Sequence, residues 1–582
     1  MTVRAPKIDL TKHPFAYPLI AAALLTSTGL GVGFVGDDAY HLLVLRGERS
    51  PAIDGNLYSF MPGDAAIAQP FIETGPFPWW MYPEAKASFY RPLTNALHHF
   101  DFNVFGMRAF WWHLHGLVWY LAMVLAWILI ARRSLSPPIA AFAALLFAID
   151  YTHWMPAVWI ANRNALIACV PALFGVYAHI RWRESNWKPG LPLSILGYIV
   201  GMFGGEAWLS MSAYVAAYEL FGRRESFVSR MMHLLPAAIC AMVYAVAYML
   251  SDYGVFGSGA YLQPLSAEYV KEAPGRILGL IGAHVFGAPI DAWAFFPSSR
   301  IAFAAIGVVA LIVLSILLHR AWPVLGERDR SALRWLIPAG VMSMLPVIAA
   351  FPMARLLLGP SIAGSAVIAV VLRHWWATRA KGRIRVIGVV CAYIAFIHIV
   401  VAVIAWPLLS GIVTFIGRWG ERTYINAPID DSRVAEQNLY LIAAKDPMTI
   451  MYPPIIRRLA GSPVPRSWHC LSGSMGDHVF TRTAADTFEL ESKDGALVQG
   501  VFADILRDIA ANPFAVGDTV KLLDATIDVL NITDGRPTKI RVRCNKPLDD
   551  PSIVFLQWKD RSLQPFVLPP LGESREVKYF SE

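Results

Sequence analysis

The sequence predicts a polytopic α-helical membrane protein with about 11 transmembrane helices and a C-terminal β-rich α+β domain. Hydrophobic residues make up 56% of the 582 residues and charged residues only 16%, whereas a soluble domain normally carries about 25% charged residues. The mean hydropathy is +0.46, and the apolar residues are clustered in long runs. From about Gly420 onward the pattern changes to short β-rich runs broken by Gly, Pro, Asn and Asp, with one helix near QGVFADILRDIAAN. The predicted β runs are MTIMYPP, TFELES, GALVQGVF, VKLLDATIDVLNI, TKIRVRC and SIVFLQWKD.

Eleven apolar runs account for the predicted spans, since a helix that crosses a bilayer needs roughly 20 residues. The runs cover residues 15–35, 110–131, 137–149, 165–180, 190–203, 207–221, 233–250, 301–318, 335–350, 356–372 and 386–409. The basic segment MTVRAPKIDLTKHPF precedes the first run, and no small-residue cleavage site is obvious after that run, so we expect a retained span. The sequence therefore predicts a transmembrane domain over 1–415, with a first outer loop at 36–110, and a soluble domain over 416–582. Residues 251–300 are predicted to form a long loop.

The charges predict the orientation in the membrane. The loops after every second span are basic, among them RWRESNWK, GRRESFVSR and RHWWATRAKGRIR, and the alternate loops carry few lysines or arginines. The positive-inside rule then places the N-terminus in the cytoplasm. We expect an integral plasma (inner) membrane protein whose first loop and C-terminal domain are extracytoplasmic, or periplasmic. Because basic residues lie between apolar runs, the net charge of +8 does not indicate nucleic-acid binding.

Two adjacent carboxylates, Asp37 and Asp38, follow the first apolar run in GFVGDDAYHLLVLRG. An aspartate that caps the following amphipathic helix would stabilise it by about 1 kcal/mol. The other interpretation is that one carboxylate faces a cavity as a general base or a metal ligand, because acids at a membrane face are functional hypotheses by default. The two roles are compatible, with one aspartate for each.

The rest of the first outer loop contains two amphipathic stretches on either side of the aromatic segment PWW, which are typical of helices in the membrane interface. It also contains His98, His99 and Asp101. These side chains are either solvated or interfacial, or they form a His/His/Asp metal site. The spacing does not decide between the two interpretations.

Three arginines, Arg91, Arg163 and Arg355, lie where an outer loop meets a span. A guanidinium in that position either extends to the interface or binds an anion, and its planar fork suits a phosphate. Three further residues, Asp101, Glu206 and His113, are accessory candidates. Glu206 in GGEAW either caps the sixth span or acts at the site, and His113 in WWHLHG is either a packed, hydrogen-bonded histidine or faces the cavity.

The order of these motifs resembles the GT-C superfamily of membrane glycosyltransferases. The resemblance is carried by GDDAYHL, FYRPLTNALHHFDFNVFG, HLHG, ANRNALIA and ARLLLGPSIAGSA, and it covers roughly residues 10–410. It is strongest to the protein O-mannosyltransferases and to the membrane half of the transmembrane, tetratricopeptide-repeat O-mannosyltransferases. This chain has Asp37-Asp38 where those enzymes typically have Asp-Glu, and a β-rich domain in place of the tetratricopeptide tail.

The resemblance implies a polyprenyl-phosphate-linked sugar donor, a catalytic carboxylate in the first outer loop and basic residues that hold the lipid phosphate. Asp38 is then the favoured base, Asp37 its capping or orienting neighbour, and Arg91, Arg163 and Arg355 the phosphate candidates. The chemistry is consistent with these roles. An attacking acceptor hydroxyl needs a base, and a leaving phosphate needs positive charge nearby.

The sequence thus predicts an inverting glycosyltransferase of the cell envelope that acts on the outer face of the membrane. The acceptor, whether protein, lipid or glycan, is left open, and so is a divalent metal. One alternative is a lipid-linked glycan polymerase or ligase that relies on the outer-loop arginines. The other is a non-enzymatic transporter or glycan-assembly protein, although inverted repeats and mid-membrane charges are lacking. The C-terminal domain fits an accessory role in binding the acceptor or a glycan, and a Cys470–Cys544 disulfide is one interpretation of its two cysteines.

Overall fold

The computed structural model describes residues 9–378, 386–444, 448–559 and 562–578. The first eight residues of the basic N-terminal segment and residues 379–385 of the basic loop RHWWATRAKGRIR lie outside the described residues. The chain divides into two units. We call Met1–Gly33, Tyr90–Asp252 and Leu262–Thr414 the helical unit, and Phe34–Phe89, Tyr253–Tyr261 and Phe415–Glu582 the sheet unit. The first part of the predicted outer loop thus belongs with the C-terminal residues in this division.

The described residues contain 21 α-helices. In chain order they are α1 Ala16–Ser27, α2 Asp37–Leu45, α3 Ala65–Thr74, α4 Pro92–Phe105, α5 Ala109–Ser134, α6 Pro137–Ile149, α7 Trp154–Val158, α8 Asn164–Ser185, α9 Gly190–Gly204, α10 Trp208–Ala217, α11 Phe227–Leu250, α12 Ala267–Phe286, α13 Ala292–Phe295, α14 Arg300–Ala321, α15 Glu327–Met342, α16 Pro360–Thr378, α17 Val386–Ala395, α18 Ala402–Ile425, α19 Met448–Met451, α20 Pro453–Leu459 and α21 Val501–Leu506.

The strands are fewer and shorter. They are β1 Ser59–Pro62, β2 Lys86–Ser88, β3 Gly254–Phe256, β4 Asn438–Leu441, β5 Ser467–Cys470, β6 His478–Arg482, β7 Thr487–Ser492, β8 Thr519–Lys521, β9 Ala525–Thr533, β10 Arg536–Cys544, β11 Ile553–Lys559, β12 Ser562–Pro565 and β13 Ser574–Val577.

Six helices among the described residues are long and apolar enough to cross a membrane, or seven if the bent pair Pro137–Ile149 and Tyr151–Val158 forms one span. Each of the eleven predicted runs contains a helix, but α1 and α9 have only 12 and 15 residues. The chain is therefore an integral membrane protein, and the count of eleven spans stays a prediction.

Glycines permit close helix packing in the helical unit. A Cβ atom on Gly197 of α9 would lie 2.5 Å from the carbonyl oxygen of Pro171 in α8, and one on Gly307 of α14 would lie 2.0 Å from that of Leu278 in α12. Small residues at such contacts let two backbones approach, which is how helices associate in lipid without a hydrophobic driving force.

The prediction of a long loop at 251–300 was wrong, because this segment contains the 20-residue helix α12. Charged residues in its first half, including Glu268, Lys271 and Glu272, concealed its apolar second half. The Ser266 side chain caps the helix by accepting a hydrogen bond from the Tyr269 N–H at 3.1 Å. An element with one polar and one apolar half is not detected as an apolar run.

Three sheets form the sheet unit. Strands β1, β2 and β3 make an antiparallel three-stranded sheet, and a six-stranded antiparallel sheet has the order β13-β6-β7-β10-β9-β8. A four-stranded sheet has the order β12-β11-β4-β5, with β4 parallel to both β11 and β5. Aromatic side chains fill the core, and the rings of Phe480 and Phe488 stack with centroids 4.6 Å apart.

The predicted β-rich runs at 487–492, 520–532, 538–544 and 552–560 contain strands, and the predicted helix near 499–512 is present as α21. The run GALVQGVF was wrongly predicted as β, because residues 495–500 form no strand and residues 501–502 begin α21. The run MTIMYPP was also wrongly predicted as β, because it forms α19 and the start of α20. Its two prolines occupy the first positions of α20, where a missing N–H costs nothing.

Cys470 and Cys544 are both buried and are not joined by a disulfide in the structure, so the disulfide interpretation is not confirmed. The Cys470 thiol donates to the carbonyl oxygen of Ser472 at 3.1 Å, and the Cys544 sulfur lies 3.9 Å from the Tyr440 hydroxyl.

Candidate functional site

The aspartate pair begins helix α2 in the sheet unit. Gly36 occupies the N-cap position with φ of 57°, a conformation that favours glycine, and no side chain caps the helix. The prediction that an aspartate caps the helix was therefore wrong. Asp37 and Asp38 instead occupy its first turn, where negative charge is favourable next to the unpaired N–H groups. A carboxylate oxygen of Asp38 accepts a hydrogen bond from the Val35 N–H at 2.9 Å.

The two carboxylates have different surroundings. Asp38 is 1% exposed, whereas Asp37 is half-buried and accepts a hydrogen bond from the Tyr452 hydroxyl. Tyr452 immediately precedes α20, which packs against α2. Burial and the nearby charge of Asp37 raise the pKa of Tyr452 well above its usual value, so its phenol stays protonated and donates.

In the helical unit, Arg163 and Asp101 form a buried ion pair. Arg163 is 1% exposed, and its guanidinium donates to the Asp101 carboxylate and, at 2.9 Å, to the carbonyl oxygen of Trp112. The second oxygen of Asp101 accepts from the ring Nδ1 of His115 at 2.7 Å. Trp119 donates to Nε2 of the same ring at 3.0 Å, so Nε2 is an acceptor and Nδ1 donates to Asp101.

Arg91 and Glu206 form a second ion pair in the helical unit. The Arg91 Nε donates to one Glu206 oxygen at 2.9 Å, and the Tyr248 hydroxyl donates to the other at 3.1 Å. The prediction that Glu206 caps the sixth span was wrong, because Ala207 holds the N-cap position of α10 and no side chain caps that helix.

Arg355 differs from Arg91 and Arg163, because no carboxylate among the described residues forms an ion pair with it. It lies in a short 3-10 turn at Ala354–Leu357, half-buried, with its guanidinium carbon 5.9 and 5.8 Å from the ring centroids of Trp159 and Phe351. It forms no hydrogen bond or ion pair with the described residues. Burial raises the pKa of the nearby Asp291 carboxyl, which accepts from the Ala354 N–H at 3.4 Å, and the charge of Arg355 partly offsets that rise.

The remaining candidates are packed groups. His113 is buried, and its Nε2 donates to the carbonyl oxygen of Gly33 at 2.9 Å. His98 is buried with its ring 5.8 Å from the ring of Trp112. Within the described ranges, no three His, Cys, Asp or Glu side chains are grouped so as to hold a metal ion. The His98, His99 and Asp101 interpretation is therefore not supported, and Asp101 is occupied by Arg163 and His115.

The structure thus pairs Asp101 with Arg163 and Glu206 with Arg91, and it holds Asp37 with Tyr452. Sequence reasoning missed Tyr452, because 415 residues separate it from Asp37 and no local pattern connects them. It also missed the aromatic residues beside Arg355. A pair of rings around an arginine has no characteristic spacing when one ring comes from a distant loop.

The fold and these residues define a class: an integral membrane protein with a sheet-rich C-terminal part and a carboxylate pair at the start of a helix that follows its first apolar segment. No family model matches the chain, and no curated protein matches it.

Several solved structures are similar to it. The oligosaccharyltransferase AglB from Archaeoglobus fulgidus, in complex with an inhibitory peptide and a dolichol-phosphate, is 12% identical with a TM-score of 0.40. The alignment covers 78% of this chain and 64% of that protein, so this chain spans just under two thirds of AglB. ArnT from Cupriavidus metallidurans, bound to undecaprenyl phosphate, is 13% identical with a TM-score of 0.41, covering 90% of this chain and 97% of ArnT.

The arabinofuranosyltransferase AftD from Mycobacteria is 13% identical with a TM-score of 0.33, covering 92% of this chain and 40% of AftD. All three are membrane glycosyltransferases of the GT-C type, the superfamily that the sequence motifs resemble. TM-scores this low give no residue-by-residue correspondence.

Proposed function

We propose that this protein is an inverting glycosyltransferase that moves a sugar from a polyprenyl-phosphate-linked donor to an acceptor on the outer face of the membrane. The observation that carries the proposal is the carboxylate pair at the start of α2, with Asp38 buried and Asp37 held by a phenol. A buried acid is costly unless a partner or a function compensates for it.

In the proposed reaction, Asp38 takes the proton of an acceptor hydroxyl while the acceptor oxygen bonds to the anomeric carbon of the donor sugar. The bond between that carbon and the lipid phosphate oxygen breaks, and the phosphate leaves with the electron pair. A single displacement of this kind inverts the anomeric centre. Asp37, fixed by Tyr452, orients the acceptor.

The leaving phosphate gains negative charge, so a nearby cation lowers the barrier. Arg355 is the foremost candidate for this role, because its guanidinium is bonded to no carboxylate among the described residues. Arg91 and Arg163 remain candidates, and each would have to share its guanidinium with Glu206 or Asp101. Their contacts support a further role in positioning the surrounding helices.

The proposed orientation follows from the basic loops: a cytoplasmic N-terminus and an extracytoplasmic sheet unit in the plasma membrane. The donor then reaches the site from the outer leaflet. We include residues 1–415 in the catalytic domain and assign residues 416–582 to acceptor binding, and the acceptor is a protein, a lipid or a glycan.

The test is sugar transfer by the purified full chain in proteoliposomes. A panel of radiolabelled polyprenyl-phosphate monosaccharides is offered together with an envelope extract as acceptor. Asp38→Asn should lose at least about 100-fold in transfer rate, since general-base catalysis contributes about that much or more. Asp534→Asn is the matched control, because Asp534 lies in an exposed turn with φ of 50°, which Asn tolerates.

Full transfer by the Asp37→Asn, Asp38→Asn double variant would overturn the proposal. A protein in which only the arginine substitutions abolish transfer would instead act as a lipid-linked glycan polymerase or ligase.

A further inference from the structure

A cavity of about 220 Å³ lies within the sheet unit. Its walls come from α2, α3, α19 and α20 and from the segment that leads into β5. Typical small-molecule sites begin at about 300 Å³. The cavity is smaller than that, so it suits at most one compact unit such as a monosaccharide rather than a long chain.

The floor of the cavity is aromatic. Tyr40, Phe60, Phe71, Phe77 and Trp468 line it, and the rings of Phe71 and Phe77 have centroids 5.8 Å apart. Flat apolar faces of this kind bind the C–H face of a sugar ring, while the hydroxyl groups stay in water or bond to a polar rim.

The rim of the cavity is cationic. Arg49, Arg458 and Arg466 line it and are exposed, and none of the lining residues is acidic. Arg458 pairs with Glu48 at 3.4 Å, and the guanidinium carbon of Arg49 lies 5.4 Å from the Phe71 ring centroid. Three guanidinium groups around an apolar floor favour a ligand that carries a carboxylate or a phosphate.

The wall of the cavity is preformed. Gly75 ends α3 with φ of +101°, and a Cβ atom there would lie 1.7 Å from the carbonyl oxygen of Trp468. Helix α3 therefore directly abuts the backbone of β5. A rigid wall lowers the entropy that a ligand loses on binding.

The cavity is connected to the carboxylate pair through one residue. Tyr452 lines the cavity and donates to Asp37. On α2, Asp37 and Tyr40 are three positions apart and therefore share one face of the helix. A ligand in the cavity thus lies next to the carboxylate to which the proposed function gives the orienting role.

We propose that this cavity binds an anionic sugar unit of the acceptor, with the ring on the aromatic floor and the acidic group on Arg49, Arg458 and Arg466. This assignment rests on the proposed glycosyltransferase function and names the substrate class of the acceptor. The acidic unit anchors the acceptor, and a neighbouring hydroxyl of the acceptor is the nucleophile.

The test is binding by the full chain in nanodiscs of uncharged lipid, measured by saturation-transfer NMR and calorimetry. The probes are methyl glucuronide, methyl glucoside and inorganic phosphate. We expect methyl glucuronide to bind at least about tenfold more tightly than either other probe, and its affinity to fall as salt rises. The Arg49→Gln, Arg466→Gln double variant should weaken glucuronide binding at least about tenfold.

The matched control is Arg543→Gln, an exposed arginine on β10 outside the cavity. It should bind methyl glucuronide as the unchanged protein does, and thermal unfolding checks that each variant folds. Equal affinity for glucuronide and glucoside would overturn the proposal, and so would phosphate binding as tightly as glucuronide. Displacement of glucuronide by phosphatidylglycerol in the nanodisc would overturn it in favour of a lipid headgroup site.

The binding test and the transfer test can be told apart. Asp38→Asn should keep its affinity for methyl glucuronide, because the carboxylate pair is not part of the rim. If the cavity proposal is wrong, the protein will still transfer sugar but will show no selectivity for methyl glucuronide. If the proposed function is wrong, the aspartate variants will transfer sugar at an unchanged rate.

Discussion

The hydroxyl of Tyr452 donates a hydrogen bond to the carboxylate of Asp37, although the two residues lie 415 positions apart in the sequence. The contact joins the start of α2 to the segment in front of α20, both within the sheet unit. A phenol whose pKa is raised by burial and by an adjacent carboxylate remains a donor across the working pH range. Tyr452 is therefore a positioning residue for the carboxylate pair.

We expect Tyr452→Phe to lower the rate of sugar transfer about tenfold, because a hydrogen bond to a charged group contributes roughly 1.5–3 kcal/mol. The hydrogen bond from Tyr452 favours the ionised form of the carboxylate. Because the variant loses this bond, the acidic limb of the pH–rate profile should move to higher pH. The ring is kept, so the cavity wall is preserved. Tyr82→Phe is the control, because the Tyr82 hydroxyl donates to the exposed Glu84 at 2.9 Å. An unmoved pH profile would contradict the positioning role.

The second prediction concerns the stability that the buried ion pair of Asp101 and Arg163 contributes. Asp101→Ala leaves a buried guanidinium without its carboxylate and should destabilise the protein by about 3–5 kcal/mol. The Asp101→Leu, Arg163→Met double variant should recover most of that loss, because it removes both charges together. Thermal unfolding of the detergent-solubilised chain, followed by fluorescence, measures both effects.

The control for that pair is Glu327→Ala. Glu327 and Arg224 form an ion pair at 3.1 Å with 62% and 81% exposed side chains, so its loss should cost no more than about 1 kcal/mol. If Asp101→Ala lowers the free energy of unfolding no more than Glu327→Ala does, the buried pair has no structural role.

Sequence patterns predicted the apolar elements and missed the long-range pairs. Helices such as α5 and α14 are apolar along most of their length, so composition alone located them. Helix α12 was missed because its first half is charged, and α20 because its prolines are typical of turns as well as of helix starts. The partners of Asp37 and Asp101 depend on how distant segments pack, and no single-sequence pattern records that.

The third prediction concerns the role of Arg355 in sugar transfer. If its guanidinium stabilises the leaving phosphate, Arg355→Gln should lower the maximal transfer rate about 100-fold. Arg355→Lys should recover only part of that rate, because a point charge lacks the planar fork that matches a phosphate. Arg300→Gln is the control, an exposed arginine at the start of α14. Transfer assays over a range of donor concentrations separate rate from affinity, and an unchanged rate would remove Arg355 from the proposed site.

The fourth prediction concerns two buried histidines of the sheet unit. Burial lowers the pKa of His469 to about 3 and that of His478 to about 4. The unfolded chain, with a histidine pKa near 6.5, therefore binds more protons than the folded chain between pH 6.5 and 4. The free energy of unfolding should fall as pH drops through that window, by about 3 kcal/mol for His478.

His478→Gln should remove the share of this acid sensitivity that His478 contributes. The Ser472 hydroxyl donates to the Leu497 carbonyl at 2.9 Å, so the His478 Nε2 must donate to Ser472 at 2.8 Å, and a glutamine amide can replace that donor without titrating. The full chain is unfolded in urea between pH 4.5 and 7.5, and unfolding is monitored by hydrogen exchange of peptides from the sheet unit. These data give the slope of the free energy of unfolding against pH. His13→Gln is the control, because His13 is exposed and should leave the slope unchanged. If His478→Gln keeps the slope of the unchanged protein, protonation of His478 does not limit the acid stability of this unit.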